Sequence, residues 1–363
     1  MSYKKNWVLT GLLILVILFL NLFTFSRLYS TSNRTRDMLE IAKPLSMKDN
    51  EGIELEDLQF LDGTVGSANI VCLGEQTHFD AKTLHVKRLI VEYLHKKLGL
   101  DVVLYESSLY DMWQIDKQGV DINPSFGVYR FWWDNQESAN LWHYYKQENE
   151  KDTPIRLGGF DISLSGEVPD SIRKQKIEAY LARKHIKINS LDGLRPVLGA
   201  MSRYFSPYYA KKIPSGEKAK IIAQFETLIS MIENKGLETL EDSIYVNFFS
   251  NIKDRYKSVW SYEKAGTSQR MQTRDSLMAE NVKWLLKNVY PGKKAILWTS
   301  NLHALYGQGN GSLPSFRSMG AHLKSHFGSS LYNIVFTSYA RKDSRGSLIR
   351  KLSKQSIERV LHD

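Results

Sequence analysis

Glu75 and His78 stand three residues apart in the string LGEQTHFD, where the apolar run Ile70–Leu73 gives way abruptly to polar and ionisable side chains. A carboxylate and an imidazole so placed can form an acid/base pair. The imidazole titrates near neutrality and can take a proton from water, while the carboxylate fixes its tautomer and favours the imidazolium that forms. Glu106 is a second candidate for that carboxylate. A cation near the carbonyl oxygen of a substrate would stabilise developing charge, and Lys87, Arg88 and Arg274 are the candidates. The plainer reading of LGEQTHFD is a helix N-terminus, with Thr77 as its cap and acidic groups near the positive end of the dipole. The plainer reading of Lys87 and Arg88, which are adjacent and so point to different faces, is a solvated helix surface.

Other chemistries fit less well. The strand-turn-helix nucleophile elbow G-x-S-x-G is absent, and Ser107 and Ser108 lack the flanking glycines of a strained turn. The single cysteine, Cys72, sits within an apolar run, reads as core, and excludes both an intrachain disulfide and a Cys₂ or Cys₄ metal site. His78, His85 and His95 are not at the spacing that puts two imidazoles of H-E-x-x-H on one metal. A metal site assembled across loops from Glu75, His78, Glu106 and His303 stays open as an alternative.

These residues need elements to position them. Five short apolar runs, Asn69–Leu73, Asp101–Tyr105, Pro154–Phe160, Lys294–Thr299 and Tyr332–Ser338, lack polar alternation, as strands covered on both faces do. Helical patterns lie between them. Leu84, Leu89, Ile90, Tyr93, Leu94 and Leu98 form one stripe ending at Gly99, a C-cap signal. Ser138–Lys146 and Arg270–Asn288 read as further helices, and Ser163–Ser268 as almost wholly helical. The alternation predicts an α/β fold: a mainly parallel sheet flanked by helices, with a large helical insertion at about 165–268. In such sheets ligands bind outside the carboxyl ends of the strands. The first strand leads to Glu75 and His78, the second to Glu106, the third to Asp161, and the fourth to Asn301 and His303. Their shared position is the main reason to expect an enzyme.

The chain has 363 residues, 42% of them hydrophobic, enough for a packed core. The net charge is +10, but Lys and Arg are spread along the chain and no zinc-finger, RNA-recognition or P-loop pattern occurs, so nucleic acid is not an expected partner. Trp7–Phe25 carries no charge and follows Lys4 and Lys5. It is about the length that crosses a hydrocarbon core, and no small-residue cleavage site follows it. The expected organisation is a short cytoplasmic tail and a single transmembrane helix in 1–30, a tether in 31–52, and a body in 53–363. A short N-terminal tail favours a body on the non-cytoplasmic side of the cell membrane.

Taken together, LGEQTHFD, the helix ending KRLIVEYLHKKLG and the strand DVVLYE resemble the erythromycin esterase family. Its tryptophan-rich segment is matched by Trp132, Trp133, Glu137 and Trp142, and its Gly-x-Asp strand end by Gly159–Asp161. Its Arg-Asp-x-x-Met-x-x-Asn helix is matched by Arg274, Asp275, Met278 and Asn281. Its Trp-x-His-Asn-x-His segment is matched by Trp298–His303, followed by Met319-Gly320. The resemblance spans roughly Ile53 to Ser338. Two positions differ: the helix arginine of the family falls on Lys87, and the first histidine of the last segment is Ser300. The resemblance implies a metal-independent, cofactor-free hydrolase that opens an ester or a macrolide lactone with base-activated water. His78 would be the general base, and Glu75 and Glu106 would orient and polarise it or the water. His303 and Arg274 would complete the catalytic set, with Lys87, Arg88, Asp161, Glu137 and Asn301 binding substrate or supporting the site. The alternatives are a binding or scaffold protein on the same fold, or a metal-dependent hydrolase.

Overall fold

The computed structural model describes residues 55–121, 123–151, 154–187, 191, 193–261, 267–307 and 316–339, together with 36–37, 40–42 and 358. The chain divides into two compact units, and Ile53–Phe336 is the one that carries the sheet. Residues 36–37 and 40–41, in the other unit, are helical. The expected anchor at Trp7–Phe25 lies outside the described residues. Among the described residues no helix is long and apolar enough to cross a membrane.

All five apolar runs form strands: β1 (Ile70–Glu75), β2 (Val102–Ser108), β3 (Arg156–Asp161), β4 (Ala295–Ser300) and β5 (Leu331–Val335). They pair in parallel in the order β3-β2-β4-β1-β5. β1 and β2 are buried along their whole length, β3 and β4 at all but one residue, as the unbroken apolar runs require. β5 corrects the expectation of a run to Ser338 covered on both faces. It begins at Leu331, ends at Val335 and is half-exposed over most of its length, because little helix packs on it, whereas β3, at the opposite edge, is covered by the helices Leu109–Asp116 and Thr267–Asn288.

The main helices are α1 (Ala81–Leu98), α2 (Leu109–Asp116), α3 (Gln136–Asn149), α4 (Asp170–Arg183), α5 (Ser215–Asn234), α6 (Leu240–Trp260), α7 (Thr267–Asn288) and α8 (Met319–Phe327). α1 ends as its sequence predicts, with Gly99 left-handed at φ 67° and its N–H bonded back to His95 and Leu94. Its start is a correction. Asp80, not Thr77, is the N-cap, and its carboxylate accepts the Thr83 N–H at 3.2 Å. Among the described residues, the insertion between β3 and β4 holds α4 to α7 and three short helices, packed around Tyr180, Phe225, Tyr245, Phe249 and Tyr256.

Two glycines set strand ends. A Cβ on Gly159 would lie 2.4 Å from the Ser107 carbonyl oxygen and 2.6 Å from that of Ser108. Here β2 carries one extra residue against β3, since Tyr105 faces Gly159 and Ser108 faces Asp161. The bulge falls at Glu106 and Ser107, and bulges beside sites re-aim side chains. A Cβ on Gly74 would lie 2.5 Å from Asn301 Oδ1, so glycine lets β1 pass close beneath the turn after β4.

Candidate active site

The sheet brings Asp161, Glu106, Thr299 and Glu75 to one edge, at the carboxyl ends of β3, β2, β4 and β1 in that spatial order. Glu75 is fully buried and its oxygens are shared among three donors. Oε1 accepts from His78 Nδ1 at 2.8 Å and from Trp132 Nε1 at 3.0 Å, while Oε2 pairs with Lys87 Nζ. A carboxylate at Nδ1 requires the proton there, leaving Nε2 as the acceptor of a neutral ring. Phe131 stacks on the imidazole at 4.3 Å and 12°, and Trp132 meets it edge-on at 5.2 Å. His78 is 32% exposed and forms part of the wall of a cleft of about 490 Å³, with Phe79, Leu84, Phe131 and Glu137.

A second group surrounds Glu106. Its Oε1 accepts from Arg274 Nη2 at 2.9 Å and lies 3.3 Å from His303 Nε2. Its Oε2 accepts from Thr299 Oγ1 at 2.6 Å and from the Ser300 N–H at 3.3 Å. Arg274 also grips Asp161 with both prongs, at 3.0 and 2.6 Å, and Tyr129 donates to the same carboxylate at 3.3 Å. His303 Nδ1 rests on Asp275 at 2.8 Å, and Asp275 also accepts the Met319 N–H at 2.8 Å.

Charge balance separates the groups. Burial pushes the Glu106 carboxyl up, but His303 and Arg274 outweigh it and hold the group well below the usual carboxylate range. Asp161 is likewise held low, because Arg274 outweighs its burial. Burial opposes the His303 imidazolium, yet Glu106 and Asp275 raise its pKa to about 9. His303 is therefore protonated at neutral pH, with Nε2–H directed to Glu106. Once that proton leaves, the same nitrogen can accept from Arg274 Nη1, 3.2 Å away. Burial lowers the pKa of the Lys87 ammonium, and Glu75 restores only part of it.

The two groups are joined. Lys87 Nζ also donates to the Thr299 carbonyl at 3.3 Å, and the Thr299 hydroxyl holds Glu106. Since β4 separates β1 from β2, Glu75 and Glu106 stand two strand spacings apart, about 10 Å. Tyr129 and Trp132 tie one short segment to Asp161 on one side and to Glu75 on the other.

Of the residues named from sequence, Glu75, His78 and Lys87 form one cluster, and Glu106, Asp161, Arg274 and His303 the other. The carboxylate of His78 is Glu75, not Glu106. Lys87 is not on a solvated face: it is fully buried, over the Trp298 ring at 4.0 Å. Arg88 does not reach the site. One residue further round α1, it pairs with Glu92. Glu137 sits at the cleft wall and pairs with His85 at 2.9 Å. Asn301 braces the turn after β4 by donating to the Phe336 carbonyl at 2.7 Å. The family-like motifs include Asp275, Trp132 and, within Trp298–His303, Thr299, but assign them no role, and Tyr129 stands outside the motifs. For Asp275 a signal existed: it begins a buried stripe with Met278, Ala279, Val282 and Leu285 at helical spacing, where a carboxylate is out of place without a partner.

The donors weighed for a metal do not suit one. Glu75 is neutralised by Lys87, Glu106 by Arg274, and the Nε2 of His303 faces both Glu106 and Arg274. Among the described residues no three His, Cys, Asp or Glu side chains converge as a ligand set.

Comparison with known proteins places the fold and the family. The solved structure of a Bacillus cereus protein superimposes with a TM-score of 0.72 at 22% identity, over 91% of this chain and 82% of its own. "Putative hydrolase YbfO" of Bacillus subtilis (strain 168) is 26% identical over 72% of this chain. The chain spans 61% of the length of that relative. An Escherichia coli protein, erythromycin esterase type II, is 24% identical over 78% of this chain and 72% of its own. The family model described as erythromycin esterase matches residues 95–363, which include Glu106, Asp161, Arg274, Asp275 and His303 but not Glu75 or His78. With most of its length matched by that model, the chain belongs to the erythromycin esterase family.

Proposed function

We propose that the protein is a hydrolase that cleaves an ester or lactone with water activated by His78. The observation that carries this reading is the pair His78 Nδ1–Glu75 Oε1 at 2.8 Å, with the carboxylate buried and the imidazole on the wall of an open cleft. In this reaction Nε2 of His78 takes a proton from water as the oxygen attacks the ester carbonyl carbon. Glu75 stabilises the imidazolium that forms. Negative charge on the carbonyl oxygen is met by Arg274 or the His303 imidazolium. When the carbon–oxygen bond breaks, His303 Nε2 gives its proton to the departing alkoxide, and Arg274 Nη1 then donates to the vacated nitrogen. The pKa of about 9 at His303 suits an acid at neutral pH, not a base.

The cleft beside His78 presents aromatic surface, including Phe79 at 73% exposure, which suits an apolar portion of the substrate. Trp7–Phe25 is proposed as an uncleaved single-pass anchor that holds the body at the non-cytoplasmic face. Its length, its lack of charge and the preceding Lys4 and Lys5 support this.

The test is hydrolysis of a panel of esters and lactones, macrolides among them, by the purified full-length chain in detergent. Wild type is expected to turn over at least one member, in the presence or absence of chelator, and His78→Ala to lose that turnover. A folded wild type without turnover on the panel would favour a binding protein on this fold. Loss of activity in chelator would favour a metal-dependent reaction. For the anchor, membranes washed at high pH should retain the protein, and its release into the supernatant would contradict the proposal.

A further inference from the structure

Among the described residues, no carboxylate forms an ion pair with the Arg255 guanidinium. Arg255 lies on α6, one turn beyond Asn251, whose Oδ1 accepts from Asn281 Nδ2 of α7 at 3.3 Å. Asn281 also donates to the Phe160 carbonyl, next to Asp161, at 2.9 Å. Asn251 lies against Asn281 while Arg255 lies near Arg274 and Arg270, so α6 and α7 are antiparallel neighbours. One turn along α6 from Asn251 faces the stretch of α7 before Asn281, where Arg274 and, one turn earlier, Arg270 are placed. The electrostatic neighbours of Arg255 are Asp161, Arg274, Tyr129 and Arg270. The one carboxylate in that set is already gripped by both prongs of Arg274. Arg255 makes no hydrogen bond or ion pair to a described residue, and its Nε is buried without a partner. Burial pulls its pKa below the usual arginine range; Asp161 pulls it up and Arg274 down again.

A half-buried cation between like charges, beside a carboxylate that another arginine holds, is unfavourable until an anion arrives. The planar guanidinium fork matches the two oxygens of a carboxylate or phosphate. Arg255, Arg270 and Arg274 are each partly exposed as residues. We propose that Arg255, with Arg270 and Arg274 beside it, forms a subsite for an oxyanion, a carboxylate or phosphate group, carried by the substrate on the β3 side of the candidate active site. The inference rests on the hydrolytic reading for its link to catalysis, but the binding subsite stands or falls without it. It narrows the substrate to an ester with an apolar portion against Phe79 and Phe131 and an acidic group at Arg255. A neutral or cationic ester would leave the subsite unused.

The test has a binding arm and a kinetic arm, both on the full-length chain. In the first, inorganic phosphate and succinate are titrated at constant ionic strength and followed by calorimetry and thermal denaturation. Both ions are expected to bind wild type and His78→Ala alike. Binding should weaken about tenfold in Arg255→Gln and recover in part in Arg255→Lys. In the second arm, the kcat/KM ratio of an ester bearing a free carboxylate to its methyl-capped analogue should exceed one in wild type and fall about tenfold in Arg255→Gln. Failure of wild type to bind either ion, or equal binding by wild type and Arg255→Gln, would overturn the subsite. If wild type hydrolyses no ester but binds the oxyanions through Arg255, the hydrolytic reading fails and the subsite remains.

Discussion

At the scale of single residues, the site is built on buried charges that need one another. Lys87 and Glu75 are both fully buried, so neither can turn to water when its partner is lost. Lys87→Met is expected to destabilise the protein by about 3–5 kcal/mol in denaturant titrations, because it strands a buried carboxylate. Adding Glu75→Gln to that variant should recover much of the loss, and an additive double mutant would contradict the coupling. His303 supplies a second expectation. As the acid in the proposed reaction it must carry its proton, so kcat should fall as pH rises through about 9, and His303→Gln should abolish that limb. The Glu75–His78 pair was legible in the sequence because both residues lie in one short turn after an apolar run. The burial of Lys87 was not, since nothing local distinguishes it from Arg88. The difference comes from α1 turning one residue towards Trp298 and its neighbour towards Glu92. Asp275 stands beside Arg274 in its motif, but adjacent helical residues point in different directions, here to His303 and Asp161, so the motif alone does not show its partner.

At the scale of elements, the strand ends carry the chemistry and the glycines set how closely they approach. The apolar runs located all five strands, because strands covered on both faces show as unbroken hydrophobic segments. The β2 bulge was hidden, because it is set by contact with β3, about 50 residues further along the chain. Gly159 is the β3 side of that contact. Gly159→Ala pushes a methyl group against the Ser107 and Ser108 carbonyls and is expected to cost about 1–3 kcal/mol of stability. Because the clash lies beside Glu106, the variant should also lose more activity than an equally destabilised variant on α5. Equal activity in the two would separate the bulge from the site.

At the scale of the whole molecule, the sheet order decides which groups meet. Parallel topology was readable from the alternation of strands and helices, but the return of β4 between β2 and β1 was not. That placement puts Thr299 between the two clusters, its carbonyl on Lys87 and its hydroxyl on Glu106. Stability should follow pH through the same groups. His303 is raised above its ordinary value of about 6.5, so its contribution is complete below that pH and is lost as pH climbs through about 9. Glu106 and Asp161 are depressed, so their contribution holds above about pH 4 and disappears as pH falls further. The alkaline part is isolated by the difference in unfolding free energy between wild type and His303→Gln, which should shrink between about pH 6.5 and 9. A constant difference would place His303 outside this balance.

The most direct measurement compares steady-state hydrolysis of the best ester on the panel by wild type and His78→Ala, both shown to be folded by matching thermal transitions. A loss of about 10²–10⁴-fold in kcat is expected for His78→Ala, the range for removal of a positioned general base. Turnover in His78→Ala within a few-fold of wild type would contradict water activation by the Glu75–His78 pair.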